Sequence, residues 1–344
     1  MNPSLVGSEM CIRDRSVSAD TTTTFSITAT DDENQTSASR SFSITVQNDA
    51  PSNHFNTVLY TGNNGTQNIT GVGFKPDFTW IKARDNGSNN HALTDSVRGT
   101  GSGNGLSSNT TGAEGQYSAA YGYLSAFGTD GFTVQAGSTS PNFVNSSSAN
   151  YVAWNFKAGG AAVANTDGTI NSQVSVNNTL GFSIVSFTSN GAASVVSTGH
   201  GLNVEPELVI WKNRDDTSQW PVYHKYLGDN LRVRLESNAA QASYTPFFSM
   251  TSTTIAMRQS SLAVNGNQCI AYCFTSKPGF SKVDSYTGNG STNGPMVQTG
   301  FEPAFLMIKT TGVDSWFMVD NKRDTSNPRG CLLYTSPSPR DSDS

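Results

Sequence analysis

The sequence predicts an all-β chain of tandem β-sandwich repeats behind a partial N-terminal hairpin. Three observations carry this. Charged residues make up 14% of the chain, against about 25% in an average globular protein, and Ser, Thr, Asn and Gly fill the difference. Val, Ile and aromatic residues recur at short intervals between polar turn signals, without long runs of helix formers. That is the pattern of strands, and its regularity argues against disorder. Lastly, long blocks repeat at domain-sized intervals.

The two ends are set aside before the elements are read. Residues 331–341 (CLLYTSPSPRD) back-translate to a DNA string whose reverse complement encodes LVGSEMCIRD, residues 5–14 of the same chain. Two unrelated protein ends do not share one piece of DNA, and the string resembles a transposon-end sequencing adapter. Residues 1–15 and 331–344 are therefore expected to be adapter artefact, with both true termini missing.

Residues 16–49 contain FSITATD and RSFSITVQND, two alternating strands around DENQTSAS. They read as the C-terminal hairpin of a sandwich domain, followed by a linker at 50–56. The rest of the chain repeats. LYTGNNGTQNITGVGFKPDFTWIKAR (59–84) aligns with SFTSNGAASVVSTGHGLNVEPELVIWKNR (186–214) and with SYTGNGSTNGPMVQTGFEPAFLMIKTT (285–311). The shared skeleton is an aromatic-Thr pair, an Asn-Gly turn, a Gly-rich approach, a proline and an apolar strand ending in lysine. The prolines are Pro76, Pro206 and Pro303, placed at a strand's start, where a missing N–H costs no ladder bond. Phe78 with Trp80, Leu208 with Ile210, and Phe305 with Met307 share one face of their strands.

A closing strand recurs as well: NYVAWNFKAGG (150–160) matches QCIAYCFTSKPG (268–279), placing Trp154 opposite Tyr272. After each lysine strand, His91, Trp220 and Trp316 align, and Asp95/Arg98 match Asp320/Arg323, with His224 at the aspartate position of the middle copy. The expected domains are sandwiches at 57–181 and 182–280 and a truncated third copy at 281–330. Because this third copy stops before its closing strand, an unpaired edge or incomplete core is expected there.

These motifs resemble known modules. The hairpin is similar to the end of a cadherin-like or bacterial Ig-like module. From Thr57 to Arg329, YTGNG…TG-x-G-F-x-P-x-F-x-x-I-K with YVAWNFKAGG resembles an uncharacterised repeat family of marine phage tail-fibre-like and structural proteins. The resemblance implies lectin- or jelly-roll-like sandwiches in a non-enzymatic tail or virion surface protein, virion-borne or extracellular. Partners would be a host-surface glycan or receptor, or other virion proteins, and a homo-oligomer is compatible with it. A secreted bacterial adhesin with lectin-like repeats is the runner-up; a polysaccharide depolymerase is the remote third.

Chemistry is thin. A formal net charge of −5 leaves no footprint for nucleic acid, and no apolar run reaches bilayer length, so membrane insertion is not expected. His54, His91, His200 and His224 lack metal-site spacing, and no phosphate loop or nucleophile elbow appears. No metal and no cofactor are expected. Cys269 and Cys273 lie about 13 Å apart along a strand, beyond disulfide reach, and read as core thiols. Asp130 and Asp167 read as turn residues. Glu205 and Glu207, the carboxylates a hydrolase would need, stand where other copies carry different residues, which argues for exposed surface. For ligand binding, Trp220, Tyr223 and His224 offer an aromatic platform with a polar partner, and Asp95/Arg98 and Asp320/Arg323 add hydrogen bonds to hydroxyls. The competing reading makes the aromatics core and the Asp–Arg pairs turn ties, and recurrence between copies favours it.

Overall fold

The computed structural model describes residues 21–28, 30, 35–46, 50–116, 118–139, 142–243, 247–258, 260, 262–291 and 293–323. Both adapter-like ends lie outside these. The chain divides into two compact units, Met1–Ala50 and Pro51–Ser344.

The first unit is an antiparallel hairpin of β1 (Thr21–Ile27) and β2 (Arg40–Val46), with Phe25 opposite Phe42. In the second unit, the first copy runs β3 (Phe55–Thr61), β4 (Thr66–Thr70), β5 (Phe78–Ala83), β6 (Ala92–Asp95), β7 (Tyr123–Gly128), β8 (Gly131–Gln135) and β9 (Asn150–Phe156). A single helical turn, Ser118–Tyr121, precedes β7. A four-stranded sheet in the order β3-β9-β5-β6 packs on a three-stranded sheet, β4-β8-β7. All pairings are antiparallel.

The second copy repeats this plan with β10 (Val163–Asn165), β11 (Ser172–Asn177), β12 (Phe182–Thr188), β13 (Val195–Gly199), β14 (Leu208–Asn213), β15 (Pro221–His224), β16 (Leu231–Arg234), β17 (Ala242–Ser243), β18 (Phe248–Met250), β19 (Thr254–Arg258) and β20 (Gln268–Phe274). Its large sheet contains β12-β20-β14-β15, the order of the first copy, extended by β11 and β10 on one side and β16 and β17 on the other. The small sheet is β13-β19-β18. The third copy supplies one hairpin, β21 (Phe305–Ile308) with β22 (Phe317–Asp320).

Two boundaries move. Phe55 and Asn56, expected in a linker, already belong to β3, because Phe55 packs on Phe156 at 4.7 Å and His54 is buried beside it. The second sandwich starts well before 182. Residues of β11 alternate VSV and pair with β12 from Ser172↔Phe187 to Asn177↔Phe182, joined by a tight turn at Gly181 with φ +72°. The strands after the prolines begin two residues late, at Phe78, Leu208 and Phe305.

The central strands of the large sheets, β5, β9, β12, β14 and β20, are buried on both faces, and the reason is a four-layer stack. One face of the first large sheet meets its own small sheet through Ile81, Tyr151, Ala153, Leu124 and Phe132. One face of the second meets its small sheet through Val185, Trp211, Cys269, Cys273 and Met257. The opposite faces share one central core: Phe78, Trp80 and Trp154 from the first copy, Phe182, Ile210 and Tyr272 from the second, Trp316 and Met318 from the third. The three copies therefore form one unit with a common interior. Cys269 and Cys273 are buried free thiols, their pKa values pushed up to about 12 by burial.

Candidate functional site

The residues the sequence singled out converge on the seams between copies. Asp95 ends β6. Its Oδ1 accepts the backbone N–H of Val97 and Arg98, and its Oδ2 accepts Arg98 Nε at 2.5 Å. Arg98 also donates to the Leu93 and Asn104 carbonyls and to Glu114 at 2.6 Å. Into this group reaches Tyr272 of the second copy, whose hydroxyl donates to Asp95 at 2.8 Å. Burial alone would lower the Arg98 pKa, but Asp95, Tyr272 and Glu114 outweigh it and hold the guanidinium charged. Glu114 spans the same seam, receiving Arg214 of the second copy at 2.7 Å.

The third copy repeats the arrangement. Asp320 Oδ1 accepts the N–H of Lys322 and Arg323, its Oδ2 accepts Arg323 Nε, and Arg323 donates to the Met318 carbonyl. The aromatic held here is Trp154 of the first copy: its Nε1 donates to Asp320 at 3.1 Å, and Arg323 stands 5.0 Å above its ring. A short polar side chain that binds its own backbone two and three residues on makes the turn. The spare carboxylate oxygen and the guanidinium then clamp a neighbour.

The aromatic series follows suit. Trp220 is fully buried and donates to the Thr110 carbonyl of the first copy; Trp316 donates to Arg234 of the second; Trp80 donates to His91 Nδ1 at 2.8 Å. Tyr223 is buried on the other face, edge-on to Phe248. The expected Trp220–Tyr223 platform is thus not a surface: the two rings point into separate cores. His224 is half-buried, its pKa lowered by burial and by Lys225, and it accepts the Tyr226 N–H. Asp284 of the third copy stands beside it.

The carboxylates after the prolines also correct the sequence reading. Asp77 is buried and accepts the Ala158 and Gly160 N–H groups, and Glu207 accepts Ser276 and pairs with Lys225 at 2.6 Å. Both lock the end of the closing strand to the lysine strand. The position after the proline is thus not free surface, whereas Lys75, Glu205 and Glu302 before it are exposed.

Two further groups have perturbed pKa values: Lys212, the lysine that ends the repeated apolar strand, and His200. Lys212 has its pKa lowered to about 8 by burial, partly offset by Glu236; it donates to the Thr111 carbonyl across the seam and to Asp216 and Ser218 oxygens of its own copy. His200, invisible from spacing, has its pKa lowered to about 4 by burial; Nδ1 accepts the Leu202 N–H and Nε2 faces the Thr251 carbonyl. Its folded pKa lies below the unfolded value, so the unfolded chain takes up the proton first. The stability this neutral ring permits is full above about pH 6.5 and is lost as pH falls from there toward 4. Chemical denaturation at pH 7 and pH 4.5 should show that loss, and His200→Gln should shrink it by on the order of 2 kcal/mol.

Fold and clamps together define a protein of interlocked β-sandwich repeats. The chain belongs to the family described as Domain of unknown function (DUF7483), whose profile matches residues 50–343. That span begins one residue before the second compact unit and includes all three copies. Among curated proteins and among solved structures, nothing matches the chain.

Proposed function

We propose that this protein is a non-enzymatic structural component of a virion surface, of the tail-fibre kind, that holds its outer loops toward a host glycan, a receptor or neighbouring virion proteins. One observation supports it above the rest. The motifs that look most like chemistry, Asp95/Arg98 and Asp320/Arg323, are spent on clamping one copy to the next. Their recurrence has a mechanical reason, and a rigid multi-sandwich body is what a displayed fibre segment requires. The low charge and hydroxyl- and amide-rich exterior suit an extracellular surface. Just beyond the expected platform of Trp220, Tyr223 and His224, Tyr226 presents an outward ring, 54% exposed with Lys225 4.9 Å from its centre. Rim rings of this kind, rather than Trp220, would meet a sugar.

Long reads spanning the gene test the setting: adjoining tail and capsid genes are expected, whereas an upstream secretion signal and a downstream anchor would replace this reading with the adhesin one. A glycan array tests the display role. Selective binding that Tyr226→Ser reduces at least tenfold is expected, and a folded chain that binds no glycan would leave the structural role alone.

A further inference from the structure

The lysine that ends the repeated strand is wrapped by the loop that follows it. In the first copy, Lys82 Nζ donates to the carbonyls of Asn86, Gly87 and Asn89 at 3.2, 3.4 and 2.7 Å. In the second, Lys212 donates to the carbonyl of Asp216, which follows it at the spacing of Asn86 from Lys82. The two loops therefore align, and they differ in chemistry at this position. Asp216 is a carboxylate that accepts Asn267 Nδ2, whereas Asn86 is an amide followed by glycine.

In an Asn-Gly pair the backbone nitrogen can reach the preceding side-chain carbonyl, because glycine puts no Cβ beside the attacking atom. Three features of the 86–89 turn favour that attack. Asn86 Oδ1 accepts the Ser88 N–H at 3.0 Å, so a donor already faces the oxygen on which negative charge develops. Gly87 and Ser88 are exposed to water and hydroxide. Neither the Gly87 N–H nor Asn86 Nδ2 donates to another of the described residues. In other Asn-Gly pairs one of these groups is held. The glycine N–H donates to Asn63 Oδ1 from Gly65, to Ser189 Oγ from Gly191 and to the Ser189 carbonyl from Gly266. At Asn104 and Asn289 the amide nitrogen that would leave donates to the Thr100 and Asn293 carbonyls.

We infer that Asn86 is a site of spontaneous deamidation, an ageing point built into the first sandwich. Hydroxide takes the Gly87 N–H proton and the nitrogen bonds to Asn86 Cγ. The Cγ–Nδ2 bond then breaks, and the nitrogen leaves as ammonia with a proton from water. Water opens the cyclic imide at either carbonyl, leaving aspartate or, with the main chain rerouted through Cβ, isoaspartate; nothing is oxidised or reduced. Aspartate gives the first copy the charge of the second without its partner. Asn267 is matched by Ala149, and the new carboxylate stands next to Asp85, which already accepts the Asn150 N–H. Isoaspartate adds a methylene to the loop whose carbonyls hold the buried Lys82 ammonium and draws them away from it. A buried charge that loses acceptors destabilises the strands around it.

The test incubates the folded full chain in mildly alkaline buffer and follows each Asn-Gly peptide by mass spectrometry after digestion. Asn86 is expected to convert about tenfold faster than Asn265, whose glycine N–H is tied by a hydrogen bond. In urea that difference should vanish. Gly87→Ala should stop the conversion at no cost to folding, since a Cβ there meets nothing within 4 Å and the backbone needs no positive φ. Aged wild-type protein should lose amide protection in β5 and β6, and Gly87→Ala aged alongside it should keep that protection. Conversion of Asn86 no faster than that of Asn265 would overturn the inference. So would undiminished conversion in Gly87→Ala, or aged wild-type protein whose β5 and β6 exchange as before. The outcome is independent of whether the protein is borne on a virion.

Discussion

Arg98→Ala is expected to lower the unfolding free energy by about 3–5 kcal/mol, because it strips the partner from buried carboxylates. The Arg98 side chain is fully buried, as is that of Asp95, and Glu114 is nearly so. Removing the guanidinium leaves Asp95 with the Tyr272 hydroxyl and two backbone donors, and leaves Glu114 with Arg214 alone. Arg98→Lys should recover less than half of the loss. A lysine is a point donor and cannot reach Asp95, Glu114 and the Leu93 carbonyl together as the planar fork does. Urea denaturation reads both variants. A loss below about 1 kcal/mol would place the pair with ordinary surface ion pairs.

Trp154→Ala is the second large effect, again about 3–5 kcal/mol for deleting a buried tryptophan. The ring is fully buried, edge-on to Trp80 at 6.2 Å and 5.9 Å from Phe305. It also holds the third copy through Asp320 and Arg323. Its loss should do two separable things: lower the urea midpoint of the whole chain, and raise amide exchange in β22 disproportionately. Equal destabilisation of β22 and β15, which Trp154 does not clamp, would show that the ring acts by volume alone.

What the sequence disclosed and what it withheld divide by range. Local signals were legible. The Asn-Gly positions predicted tight turns, and in all three copies an asparagine Oδ1 (Asn63, Asn190, Asn289) accepts the N–H two residues on. The next residue in each takes positive φ: 58° at Asn64, 64° at Gly191 and 66° at Gly290. The third copy keeps this turn although no strand flanks it there, since an Asx turn needs nothing beyond its own residues. The Asp–Arg turns were legible for the same reason.

Which copy each clamp would grip was not. Tyr272 lies 177 residues from Asp95 and Trp154 lies 166 from Asp320, and no spacing rule spans such distances. Trp220 illustrates the cost. An aromatic beside tyrosine and histidine reads equally as a sugar platform or as core, and the deciding fact is the Thr110 carbonyl 110 residues away. Alternation on one strand also could not reveal a second buried face. In β5 and β14 both faces are buried because copies stack back to back.

The central claim is that the copies are coupled through their clamps and stand as one unit. A double-mutant cycle of Asp95→Asn in the first copy with Tyr272→Phe in the second measures it most directly, by urea denaturation of the single and double variants. The clamp predicts a coupling of at least about 1 kcal/mol in one cooperative transition. Additive effects, agreeing within about 0.5 kcal/mol as for independent sites, or separate transitions for the two sandwiches, would contradict it.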